Sequence, residues 1–283
     1  MPKRWLSLLL QAIGRHKQKT HRSRTRRTKV GPDAGRALCG VLNVPIKKGK
    51  VYAVITGDIV KSSKLDRDAR RELFDAMQKI GGELVNWLGK EVTPYPFDIF
   101  SGDSWQVLLA DPARALDAAV FYRVGLIAEM GAKKSKRKVD TRMAIALGEI
   151  DFVPGNRVSE GEGWAFRESG RALGEKKAPP LMRLQMQYRP EHSGWEDAVI
   201  LLDIILRDRL TAPRALAIKG ALMGLSSNNI ARSWTPPISR SAVTKHLRSS
   251  HWEFIKEILK DFRSDVGKSS LSKRRSLPRT KTT

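Results

Sequence analysis

The stretch Val51–Ser63, reading VYAVITGDIVKSS, limits most sharply what this chain can fold into. Its mostly apolar first half, with β-branched Val51, Val54 and Ile55, predicts a buried strand. The strand runs into Gly57-Asp58, a turn signal that sets one carboxylate at its C-terminal end. Further on, Phe97–Leu109 (FDIFSGDSWQVLL) predicts two short strands joined by Ser101-Gly102, with a second carboxylate, Asp103, at the hairpin. A strand-end Asp and a hairpin Asp on neighbouring strands can hold Mg²⁺ between them. Taken singly, each Gly-Asp is an ordinary turn; only the pair points to metal chemistry.

Helices and strands alternate around these two anchors. Arg67–Leu88 carries Leu73, Met77, Ile80, Leu84 and Leu88 at helical spacing, interrupted by Gly81-Gly82. Asp111-Pro112 is a helix start, Asp at the N-cap and Pro at the first helical position. The helix it opens shows an apolar face through Leu116, Val120, Val124 and Ile127 and ends at Gly131. A basic loop, Ala132–Lys138, leads to Thr141–Leu147 (TRMAIAL), a further buried strand closed by Gly148-Glu149. Strand, helix, strand, strand, helix, strand is the split βαβ, ferredoxin-like order: an antiparallel sheet covered on one face by two helices. Glu160–Gly174 then predicts a Gly-bearing loop and a short helix with Arg167 and Arg171 four apart. Those arginines read either as a phosphate clamp or as a solvated face. Leu181–Arg189 fits no single element, and Arg189–Gly194 reads as a linker.

From Trp195 the pattern turns helical, first through Val199, Leu202, Ile205 and Leu206, then over Pro213–Met223. Leu225–Leu247 predicts a short helix with Ile230-Ala231, a turn holding Pro236-Pro237, and a second helix over Ser239–Arg248 capped by Ser239. This second helix buries Val243 and Leu247 and exposes Arg240, Ser241, Thr244, Lys245 and Arg248. That set suits phosphates and base edges in a major groove; the plain alternative is a helical hairpin with a basic face. A last helix holds Trp252, Phe254, Ile255, Ile258 and Leu259.

Charge is concentrated at the ends. The formal charge is +24 over 283 residues. Met1–Lys50 carries 14 Lys and Arg against one acid, Asp33, and Arg263–Thr283 carries seven against Asp265. Basic ends on a nearly balanced body imply contact with a polyanion, nucleic acid most simply and anionic lipid as the alternative. The organisation expected is a basic arm over 1–50 without fixed structure, a palm domain over 51–190, a helix-turn-helix domain over 195–262 and a basic tail over 263–283. The single cysteine, Cys39, excludes an internal disulfide and a Cys-rich zinc site. The longest apolar run, Trp5–Ile13, is too short to span a bilayer. No small-residue cleavage site follows it, so a cytoplasmic location is expected over export.

The blocks ITGDIVKSSKL, FSGDSWQVLL, TRMAIALGEID and EGWAFRESGRAL, in this order, resemble the SatD family over about Val51–Leu173. More distantly they are similar to the catalytic core of class III nucleotidyl cyclases. That resemblance implies an α+β ferredoxin-like palm, here followed by a small all-α helix-turn-helix domain, in a homodimeric bacterial protein. It also implies that Asp58 and Asp103 bind Mg²⁺ and that Gly57, Gly102 and Arg142 lie at the nucleotide site. Arg171 takes the place of the arginine that stabilises the transition state across the dimer. The sequence departs from the cyclase pattern at two positions: Arg167 stands where cyclases carry Asn, and Ile99 where they carry the base-selecting Lys.

Three functions fit these residues. The first is a DNA-binding regulator whose palm domain senses a nucleotide or other small ligand. The second is a Mg²⁺-dependent nucleotidyl cyclase or related nucleotidyltransferase, with Asp58 and Asp103 on the metal and Arg171, with Arg167 beside it, on the developing charge. The third is an interaction module for RNA or a membrane surface.

Overall fold

The structure is a computed structural model and describes residues 46–133, 139–175, 179–188 and 194–276, with side chains as far as 268. Residues 1–45 of the expected basic arm, 134–138 of the basic loop, 189–193 of the linker and 277–283 of the tail lie outside the described residues. The described residues form a mixed α+β fold with one five-stranded sheet and eight α-helices.

The first strand, β1, is Tyr52–Ile59. It is the centre of the sheet, antiparallel to β3 (Ser104–Leu109) on one side and β4 (Thr141–Gly148) on the other. The short β2 (Asp98–Phe100) forms one edge beyond β3, giving the order β2-β3-β1-β4-β5. Helices α1 (Arg67–Leu88) and α2 (Ala115–Gly131) connect these strands in the expected split βαβ order. Asp66 caps α1 by accepting from the Ala69 N–H at 2.9 Å, and Leu73, Met77, Ile80 and Leu84 are buried as their spacing predicts. Gly81-Gly82 does not break this helix, because Gly81 is where the Phe97 ring packs against its backbone.

Three features differ from the sequence reading. Gly57-Asp58 is not a turn: β1 continues through it, and the chain reverses only after Ile59, with Lys61 in the left-handed region at φ 59°. Glycine is required at 57 because a β-carbon there would lie 2.4 Å from the Trp105 ring. The sheet is not purely antiparallel, since the unassigned stretch supplies a fifth strand, β5 (Met182–Met186), parallel to β4. Nor is only one face covered. Helix α3 (Trp164–Gly174), which joins β4 to β5, packs on the second face through Ala165 and Phe166 against Val54, Leu108 and Ala146.

Helices α4 (Trp195–Arg209), α5 (Ala212–Leu222) and α8 (Trp252–Ser276) share one hydrophobic cluster with α1, α2 and the sheet. They cover the outer side of α2, which is why that helix is buried almost all round instead of along one face. Helix α8 runs past Phe262 because Phe262 and Val266 continue its apolar spacing and are buried. Between α5 and α8 lie α6 (Ser227–Ser233) and α7 (Arg240–Ser249), held by a small core of Ile230, Ala231 and Val243.

Polar contacts cross the same seam. Arg123 of α2 is fully buried and donates from Nε and Nη2 to the two oxygens of Asp140, each at 2.8 Å. Its Nη1 donates to Asp203 of α4 at 2.6 Å, and the second Asp203 oxygen accepts from the Leu181 N–H at 2.9 Å. Burial alone would lower the pKa of this guanidinium, but the hydrogen bonds and charges of Asp140 and Asp203 outweigh it and raise the value. Lys219 of α5 pairs with Glu83 of α1, and Arg263 of α8 with Asp117 of α2. Removing one partner of a buried pair strands the other charge, at a cost of about 3–5 kcal/mol. Arg123→Met is therefore expected to lower the unfolding free energy by that order in urea denaturation, and a change under about 1 kcal/mol would show that the triad contributes little.

Candidate functional site

The C-terminal end of β1 gathers the residues of the expected nucleotide site. Asp58 stands opposite Ser104 of β3, next to Asp103, and opposite Arg142 of β4. The hairpin that carries Asp103 turns through Ser101 and Gly102, both at positive φ, and Gly102 has open space around it. The Asp103 carbonyl accepts from the Ile59 N–H at 3.2 Å, which fixes the hairpin to the end of β1. Below them the Trp105 indole N–H donates to Thr141 Oγ1 at 3.0 Å, and that hydroxyl donates to the Asp58 carbonyl at 2.8 Å.

Asp58 and Asp103 lie at adjoining strand ends, and each carboxylate already has a partner. Arg142 donates from Nε and Nη2 to both oxygens of Asp58, a fork-to-fork pair in which each side chain is about one-fifth exposed. The Asp58 hydrogen bond is the main cause of the raised pKa of Arg142, and the charges of Asp58 and Asp103 add to it. The Ser62 hydroxyl donates to Asp103 Oδ2. Among the described residues no group of three or more His, Cys, Asp or Glu could hold a metal ion. As arranged, the positive charge beside Asp58 comes from Arg142, which occupies both of its oxygens, and the residues do not fit Mg²⁺ without its displacement.

Arg167 and Arg171 lie on the outer side of α3. Ser169, between them, faces the sheet and hydrogen-bonds Thr56 at 2.8 Å. Arg171 is exposed and pairs with Glu168 and Glu175; the hydrogen bond to Glu168 is the main cause of its raised pKa. Arg167 is exposed too, with the Asp151 carboxylate 3.9 Å away. Within this one chain neither arginine is joined to Asp58 or Asp103.

The second group of candidates sits on α7. Ser239 caps that helix by accepting from the Ala242 N–H at 3.1 Å, and Ser226 caps α6 by accepting from Asn229 at 3.3 Å. Val243 is buried and Leu247 half-buried, so Arg240, Ser241, Thr244, Lys245 and Arg248 are all exposed on the opposite side. The Thr244 hydroxyl is turned back on the Arg240 carbonyl and the Ser241 hydroxyl lies 2.8 Å from that of Ser239. No Asp or Glu occurs between Asp208 and Glu253, so this stretch of sequence supplies no acid of its own to pair with these cations. His246 stacks on Trp234, and burial lowers its pKa, with Arg214 and Lys245 pushing the same way.

Residues outside the sequence reading also emerge. Gln106 of β3 donates to Thr56 Oγ1 at 2.6 Å, extending the Thr56–Ser169 contact into a buried polar chain between sheet and helix. The available signal was a polar side chain, Thr56 and Gln106, set within the apolar run of each of two strands. Arg123 gave no such signal, since an arginine in a helix is ordinarily exposed.

Comparison with known proteins adds little to this geometry. No family model matches the chain, and no curated protein does. Solved structures that match include the crystal structure of the guanylyl cyclase Cya2, at 15% identity over 43% of this chain and 68% of that one, with a TM-score of 0.32. No functional inference follows from a likeness of that size. No helix among the described residues is long and apolar enough to cross a membrane.

Two measurements test this site. Arg142→Ala removes the internal cation and is expected to raise Mn²⁺ affinity at the strand ends by about tenfold or more, since a unit charge within a few ångströms matters on the kcal/mol scale. Calorimetric titration showing equal Mn²⁺ binding by both proteins would contradict it. The folded state keeps His246 neutral more strongly than the unfolded chain does. Its contribution to stability is thus fully present above the ordinary value of 6.5 and is lost as pH falls below it. An NMR titration midpoint for His246 below 6.5 is expected, and one above would contradict the burial argument.

Proposed function

We propose that this chain is a DNA-binding regulator in which α6 and α7 form a helix-turn-helix and the sheet-bearing palm is a ligand-sensing domain, as in the SatD-like reading of the sequence. The observation that carries it is the face of α7, where five exposed polar or cationic side chains stand in a stretch free of acid. A helix of this length fits the major groove of duplex DNA. Arg240 and Ser241, in its first turn, take the position from which recognition helices reach base edges, while Lys245 and Arg248 suit phosphates. Two-fold DNA sites would call for a homodimer.

The alternative is a Mg²⁺-dependent nucleotidyl cyclase. Asp58 and Asp103 at adjoining strand ends support it, and the Arg142 guanidinium held on both oxygens of Asp58 stands against it. Turnover of a nucleoside triphosphate that is lost on Asp58→Ala would establish that reading.

The first reading is tested by fluorescence anisotropy of the full chain with duplex DNA over a range of salt. Affinity is expected to fall steeply with salt, and Arg240→Ala with Lys245→Ala to reduce the logarithmic slope by about two, roughly one per phosphate contact. Binding that ignores both the salt and the double substitution would reject α7 as the reader.

A further inference from the structure

Between α1 and the edge strand β2 lies a groove of about 350 Å³ that neither the strand-end site nor α7 uses. Phe74, Val85, Pro96, Phe97 and Ile99 give it an apolar lining, and its polar members, Gln78 and Asn86, are uncharged. Phe97 stacks on Trp105 and Tyr122, so the core holds its ring in place.

Gly82 stands in the middle of the helical wall, four residues from Gln78 and four from Asn86. Glycine inside a helix is unfavourable relative to alanine. For its neighbour Gly81 the reason is plain, since a β-carbon there would lie 2.4 Å from the Phe97 ring. At Gly82 a β-carbon would meet no atom within 4 Å. Nothing among the described residues requires glycine at 82, and its missing side chain keeps the groove open. A segment lying across α1 would require it.

The chain itself carries such a segment close by. The described residues start at Ile46, which is half-buried against the cluster that holds Tyr52 and Tyr95. The Lys47 N–H donates to the Tyr52 hydroxyl at 2.9 Å, and Tyr95 directly precedes Pro96 of the groove. Just ahead of Ile46 the sequence reads ALCGVLNV (Ala37–Val44), apolar at six of eight positions and without charge. Fully extended, such a stretch spans at most about 28 Å. The wall from Phe74 to Asn86 is about 18 Å long at the helical rise. Among the described residues β2 has a neighbouring strand only in β3, so its other edge is open to an extended segment.

We propose that Ala37–Val44 of the same chain lies in this groove, across Gly82. Length, position and absence of charge all match, whereas the cationic run His16–Lys29 has no counter-charge in this lining. Docked so, the segment makes the palm begin before Val51 and suspends that cationic run from the α1–β2 edge by residues 30–36. The inference stands whether or not α7 reads DNA.

Cys39 is the single cysteine of the chain, which allows a direct test by disulfide trapping. Full-length proteins with Gln78→Cys, Gly82→Cys or Asn86→Cys, all at exposed positions, are oxidised under identical conditions. Lys260→Cys, exposed on α8, is the control. At least one groove variant is expected to form an intramolecular bridge to Cys39 at least about tenfold faster than the control, because bridging needs the two α-carbons within about 7 Å. Leu38→Asp with Leu42→Asp is expected to bring that rate down to the control's. Control-level rates in all three groove variants overturn the proposal, and are the result if Trp5–Ile13 or another partner fills the groove. Bridges formed only between two chains would seat a second copy's segment there and overturn it too, as would bridging indifferent to the two Asp substitutions.

Discussion

One guanidinium with no solvent contact holds the two halves of this fold together. Arg123 hangs from the middle of α2, and its three nitrogens reach the residue before β4 and the middle of α4. Asp203 completes the set by accepting from the backbone just ahead of β5. Charges buried in this way repay their desolvation only when geometry and hydrogen bonding are complete. Every oxygen of Asp140 and Asp203 is used. The direction in which α4 leaves the sheet is therefore set by hydrogen-bond geometry as well as by apolar packing, while α5 packs directly on α2.

The same tension between charge and solvent explains the strand-end site. Asp58 and Asp103 lie at neighbouring strand ends, since the register of β1 against β3 sets Asp58 opposite Ser104. Two carboxylates so placed need a counter-charge, and the register of β1 against β4 delivers Arg142 directly opposite Asp58. A chain that provides its own cation has less need of a metal. The loop after β1 contributes the Ser62 hydroxyl, which donates to Asp103.

Much of this was legible from the amino-acid order, and what was not has physical causes. Helix α1 is found over the predicted Arg67–Leu88, since its apolar spacing and its Asp66 cap agree. The Ser239 cap and the burial of Val243 likewise place α7 and its exposed set. Gly57-Asp58 misled as a turn because glycine answers to more than one constraint. Here the constraint is the Trp105 ring lying against the backbone, a contact between strands that no local window contains. Strand β5 was hidden because Arg183 and Gln185 alternate with buried residues at an edge, a pattern short enough to fit a loop. Arg123 and Gln106 belong to tertiary networks, and their neighbours along the chain carry no trace of them.

The crossover from β4 through α3 to β5 has one more consequence. The helices after β5 return to cover α2, so the chain's last third is bound to the part before β5 by apolar surface and by the ion pairs of Arg123, Lys219 and Arg263. A molecule nicked between β5 and α4 would be held as a two-piece complex. The two pieces, made separately, would be natural candidates for fragment complementation.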